Sequence, residues 1–151
     1  MILLCYDGSD DAKRAIAVAH ATLGHKPATV LYVWRPPGEF LAPDPYGAVS
    51  TPPGPPIVEL ERLALERAET LAHEGFELAR GHGFAVEART ERSDASVWRT
   101  ILDVADEVDA ETVVVGARGL STVASALLGS VSNAVVHHSG RPVLVIPRGS
   151  R

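Results

Sequence analysis

The sequence has a single cysteine, Cys5, so no internal disulfide can form and an exported, disulfide-stapled fold is not expected. Within the apolar run MILLCY, Cys5 reads as a strand residue rather than a nucleophile. There is no basic excess: the net charge is −5, which argues against a nucleic-acid surface but leaves room for one nucleotide held by backbone amides. No apolar stretch approaches the ~20 residues of a membrane span, and the start MILLCYDGSDD lacks the basic flank of a signal peptide. A cytoplasmic protein is the expectation. Two common phosphate loops are also missing. No G-x-x-x-x-G-K-[ST] occurs, so no loop lysine is offered to a γ-phosphate, and no G-x-G-x-x-G follows the first apolar run.

What is present is an alternation. ILLCY (2–6) ends in the turn cluster DGSD, and Ala12, Ala15, Ile16, Ala19 and Leu23 then share one helical face. Ser9 or Asp10 is the expected N-cap, with Gly24 at the other end. ATVLYVW (28–34) reads as a second strand. The segment 35–56 holds eight of the eleven prolines and reads as a lid, a binding segment, or a disordered or plain insertion. A helix is predicted over 57–80 with a stripe of Leu60, Ala64, Ala68, Leu71, Gly75 and Leu78. FAVEART (84–90) is the third strand, with Phe84, Val86 and Ala88 as a candidate inward face. A third helix, capped by Ser93 or Asp94, would bury Val97, Ile101, Val104, Ala105 and Val108. ETVVVG (111–116) is a fourth strand, apolar enough to be covered on both faces. Val131, Ala134, Val135 and His138 mark a fourth helix, and RPVLVIP (141–147) a fifth strand. The chain, 1–151, therefore reads as one α/β domain with a mainly parallel sheet and helices on both faces.

In such sheets ligands bind beyond the strand carboxyl ends, where strand order reverses. Two segments carry chemistry there. Asp7-Gly8-Ser9 follows strand one, with Asp7 a metal ligand, a ribose acceptor or a turn residue. Gly116 to Ser132 follows strand four. Gly116 and Gly119 are expected to turn with positive φ and to approach a ligand closely. Gly129 and Ser130 open the fourth helix, where unpaired amides and the helix dipole favour an anion. Amides near Gly129, Ser130 and Val131, with the hydroxyls of Ser130 and Ser132, are placed to hold phosphate oxygens. Arg118 points either to phosphate or to solvent or a partner. Trp34 packs on a ligand or plugs the sheet end. His137 and His138 are adjacent on a helix, point about 100° apart and cannot share one ion.

The arrangement Gly116-Ala-Arg-Gly119, nine residues, Gly129-Ser130 closely resembles the ATP-binding signature of the universal stress protein family. The opening ILLCYDGSDDAKRAIAVA and the close LLGSVSNAVVHHSGRPVLVIP extend the resemblance over nearly the whole chain. It implies a five-stranded parallel sheet in the order 3-2-1-4-5, of the adenine-nucleotide α-hydrolase-like kind. It also implies ATP as ligand, with Mg²⁺, and a homodimer formed through the last strand, 143–146. By the resemblance Asp7 lies by the ribose and the metal, and the Val33 backbone contacts adenine. Gly116, Gly119, Gly129, Ser130, Val131 and Ser132 contact phosphate. Two departures stand out: the long Pro-rich segment, and ERSDASVWRT, which has Trp98 where the family has a Gly-x-Pro helix start. Two alternatives stay open, a weak ATPase using Asp7 and Arg118, and a nucleotide-independent interaction module acting through 35–56.

Overall fold

The structure is a computed structural model that describes residues 1–37, 56–119 and 128–147. Most of the Pro-rich segment, the middle of the glycine segment and residues 148–151 lie outside the described residues.

The elements are β1 (Ile2–Cys5), α1 (Asp10–Leu23), β2 (Ala28–Trp34), α2 (Ile57–Gly81), β3 (Val86–Arg92), α3 (Val97–Glu107), β4 (Thr112–Gly116), α4 (Ser130–His138) and β5 (Val143–Ile146). All pairings are parallel, in the order β3-β2-β1-β4-β5. The order follows from chain direction. Two crossovers carry the chain one way from β1, and the third brings it back to the other side of β1. Right-handed crossovers then place α1 and α2 on one face, α3 and α4 on the other.

Each face has its own core. Ile2, Leu4, Tyr6 and Val30 pack with Ala15, Ile16 and Ala79 under α1 and α2. Leu3, Leu31, Val113 and Val115 pack with Ile101, Val104 and Val135 under α3 and α4. Alternate residues of one strand thus enter opposite cores, the period-2 consequence of the pleat.

Local signals located most boundaries. The Ser9 side chain accepts the Ala12 amide and caps α1, and Gly24 follows its last residue. Along α2 the fully buried row is Ala68, Ala72, Gly75 and Ala79, and Leu78 packs partly buried against the same core. Gly81 is the last residue of α2 rather than a stop, and His82 forms its C-cap. Two expectations are corrected. β3 begins and ends two residues later than the sequence suggested, and Ala88 is exposed because β3 is the sheet's edge. α3 is capped at Ser96, not Ser93 or Asp94. The Ser93 amide still donates to Trp34 O at 2.8 Å, continuing the strand ladder, and Asp94 accepts from the Arg92 guanidinium at 2.6 Å.

Candidate functional site

The site forms where β1 and β4 part. Their pairing ends at Leu4–Val114, whereas β1 stays on β2 through Cys5–Leu31 and the Tyr6 amide donates to Leu31 O. This reversal of strand order is the place where a crevice must open, since neighbouring loops run to opposite faces. A cavity of about 220 Å³ lies there.

Three strand and helix ends build it. At the exit of β1, Asp7 accepts the Ser9 amide on Oδ1 at 3.0 Å, so the carboxylate is held by the turn that also caps α1. At the exit of β4, Gly116 meets the first turn of α1. A Cβ there would stand 2.9 Å from the Asp11 carbonyl carbon, closer than a side chain permits. Gly119 reaches back to the carboxylate, where a Cβ would stand 2.5 Å from Asp7 Oδ2. Neither glycine has positive φ, contrary to the sequence expectation. Both are needed for close approach to α1 and Asp7, a constraint imposed by neighbours distant in sequence.

The third component is the start of α4. The Gly129 amide donates to Ala117 O at 2.7 Å and the Ser132 hydroxyl to Gly116 O at 2.7 Å. Two hydrogen bonds therefore tie the helix start to the exit of β4. As N-cap, Gly129 offers no side-chain acceptor, and no side-chain cap bond forms. The amides of Ser130, Val131 and Ser132 belong to the first turn, which has no carbonyls of its own helix to bond. Their N–H groups form the positive end of the helix dipole.

The structure brings all nine candidate residues to this one cavity: Asp7, Val33, Gly116, Arg118, Gly119, Gly129, Ser130, Val131 and Ser132 all line it. Sequence reasoning missed its apolar part, made of Cys5, Leu31, Val115, Val97 and Ile101. A signal existed. Two residues back from Asp7 and from Val33 the pleat returns to the same face, giving Cys5 and Leu31. Val97 and Ile101 are an i, i+4 pair on the first turns of α3.

The cavity thus has an apolar end and an end of amides and hydroxyls. Asp7 and Arg118 are the charged side chains among the described lining residues. Burial, with some help from the nearby Asp7 charge, raises the Cys5 thiol to about 12, so it is neutral and unreactive. Burial and its hydrogen bond to Glu74 push the Tyr6 phenol up as well. Trp34 is not among the lining residues, and the Arg92 guanidinium lies over its ring at 5.8 Å. Trp98 stacks on His138 at 4.4 Å, joining α3 to α4. Among the described residues no group of three or more His, Cys, Asp or Glu could hold a metal, and no helix is long and apolar enough to cross a membrane.

With this geometry in view, comparison with known proteins is decisive on one point. The universal stress protein family profile matches residues 1–147. The chain belongs to that family. A universal stress protein of Thermus aquaticus, encoded in the QAH/OAS sulfhydrylase 3′ region, is 35% identical over 153 residues, covering 96% of each chain. Among solved structures, hypothetical protein MJ0577 superposes with a TM-score of 0.77 at 23% identity, over 99% of this chain and 96% of that one. The universal stress protein from Archaeoglobus fulgidus in complex with dAMP superposes at 0.65 and 22% identity, over 96% and 95%. This universal stress protein therefore shares their α/β architecture.

Proposed function

We propose that this universal stress protein binds ATP in the cavity between β1 and β4 and acts as a nucleotide-dependent regulatory protein of the stress response, with at most slow hydrolysis. The observation that carries the reading is the convergence of the nine candidate residues on one cavity with an apolar end and an amide end. That division suits a nucleoside joined to phosphate. Adenine would lie on Leu31, Val97 and Ile101 against the Val33 backbone, and the phosphates on the amides of Ser130, Val131 and Ser132. The Archaeoglobus fulgidus universal stress protein of the same fold is in complex with dAMP, which supports a nucleotide as the ligand.

Asp7 would serve the ribose or a Mg²⁺ ion. One carboxylate with phosphate oxygens is an all-oxygen donor set of the kind Mg²⁺ takes, so the residues fit the ion. The lining supports slow hydrolysis at most. Asp7 is its only carboxylate among the described residues, and the thiol and phenol stay protonated at neutral pH. Phosphoryl transfer needs a positioned nucleophile and neutralised charge, which a single Arg118 provides poorly. Assembly as a cytoplasmic homodimer through β5 completes the reading. VLVI is an edge strand without charge, the kind of edge that a partner strand covers.

Calorimetric titration of nucleotide-stripped protein with Mg·ATP, and with Mg·GTP in parallel, tests the proposal. Micromolar or tighter binding that favours ATP is the expected result. Folded protein that takes up neither nucleotide would refute it.

A further inference from the structure

The cavity's charge is small for a triphosphate site. Asp7 contributes one negative charge and Arg118 one positive, and the other described lining residues are uncharged. The amides of Ser130, Val131 and Ser132 offer partial charge only. The sequence adds no compensation: residues 120–127, LSTVASAL, are uncharged, and residues 38–55 carry Glu39 and Asp44 but neither Lys nor Arg. Wherever those two segments lie, they bring no cation. The whole chain is at −5. Sites that hold triphosphates commonly set a lysine and a divalent cation against the β- and γ-phosphates, and no lysine lines this cavity among the described residues.

The position of the one carboxylate sharpens the point. Asp7 cannot easily swing away from a bound phosphate chain. Its Oδ1 is held by the Ser9 amide at 3.0 Å, and Gly119 closes on Oδ2 so tightly that a Cβ there would be 2.5 Å away. Gly119 belongs to the same loop that leads toward the helix amides. A negative charge is thus built in beside the phosphate end, where it repels a bare polyphosphate and attracts a divalent cation.

Resting on the nucleotide reading above, we infer that the cavity selects phosphate by charge. Without a divalent cation it takes a nucleoside monophosphate at least as well as the triphosphate, and it takes the triphosphate well only as its Mg²⁺ complex, with Asp7 as the residue that makes the difference. Asp7 therefore acts as a specificity residue of opposite sign in the two conditions. It opposes metal-free ATP and favours Mg·ATP.

The experiment is a set of calorimetric titrations of the full chain with adenosine, AMP and ATP, each in EDTA and in excess Mg²⁺, repeated with Asp7→Asn. In EDTA, AMP is expected to bind as tightly as ATP or more tightly. Mg²⁺ should strengthen ATP tenfold or more and AMP less than threefold. Asp7→Asn should strengthen metal-free ATP several-fold and remove most of the gain from Mg²⁺. The inference is overturned if ATP outbinds AMP tenfold in EDTA. Because the full chain is used, any help from Arg148 and Arg151 counts against it. A full Mg²⁺ gain in Asp7→Asn protein that still melts cooperatively would remove Asp7 from the assignment. If adenosine, AMP and ATP all fail to bind, the nucleotide reading itself falls, a result distinct from a reversed preference between AMP and ATP.

Discussion

The two ends of the sheet are built on opposite principles. At the amino end, charges and carbonyls are matched with partners close by. Glu111 accepts from Lys26 and from the α-amino group of Met1, its amide donates to Met1 O, and Ile2 donates to Pro27 O. Arg141 donates to the Ala105 carbonyl at 2.8 Å and to that of Ala110, and it pairs with Asp106, so the last turn of α3 is closed by a guanidinium. At the carboxyl end the chain instead brings a fixed carboxylate, two closely approaching glycines and the first-turn amides of α4 around a cavity. One end satisfies its polar groups and so contributes stability. The other keeps donors available, and a fold tolerates that where water or a ligand can meet them.

Substitutions that separate binding from stability would break or sharpen this contrast. The largest effect is expected from Gly119→Val, whose side chain must displace the Asp7 carboxylate from its place beside Ser9. Affinity for Mg·ATP, the form the Asp7 carboxylate favours, should fall about 100-fold or more, roughly 2.7 kcal/mol, with the melting temperature nearly unchanged. Titration and thermal melting on the same sample check both halves, and a large drop in melting temperature would mean that Gly119 serves packing first.

Arg141→Ala is the counterpart at the amino end. It leaves the Ala105 and Ala110 carbonyls without their charged donor and should cost about 2 kcal/mol of stability. Nucleotide affinity should stay within twofold. Urea denaturation measures the first and calorimetry the second.

Ser132→Ala lies between the two. It removes the bond from the α4 start to Gly116 O, so about 1 kcal/mol of stability should go together with a several-fold loss of affinity. Loss of affinity with no change in stability would recast Ser132 as a direct ligand contact.

The smallest effect concerns pH. The hydrogen bond from Lys26, with that from the α-amino group, holds the Glu111 carboxyl at about 2, below the ordinary range near 4.5. A lowered folded-state pKa stabilises the fold above the unfolded value, and that contribution is lost as pH falls from about 4.5 to about 2. Acid titration of wild type against Glu111→Gln should show a shallower decline for the variant across that window. Their nucleotide affinities at pH 7 should coincide.

How much of this was legible without coordinates varied by element. β2 was read to the residue because ATVLYVW is bounded by Pro27 and by Arg35-Pro36. Both ends of α1 were readable because Ser9 and Gly24 act on backbone groups within four residues. α3 was misplaced because Ser93 and Asp94 look like caps, yet Ser93 is committed to Trp34 on the neighbouring strand. Capping chemistry cannot reveal such a competitor. The site divided in the same way. The glycine and serine spacing identified its polar end, while its apolar end came from strand termini that only the sheet brings side by side.

By itself, the sequence determined the alternation of strands and helices, the caps of α1 and the glycine–serine pattern between β4 and α4. Each of these depends on a periodicity or a contact only a few residues long. Only the tertiary structure decided that Gly119 closes on Asp7, that Gly116 touches Asp11, and that the Gly129 amide and Ser132 hydroxyl are committed to the exit of β4. The first two of those contacts join residues more than 100 positions apart in the chain. They come together only because β4 crosses back to pair with β1, and non-local pairing of that kind leaves no local pattern to read.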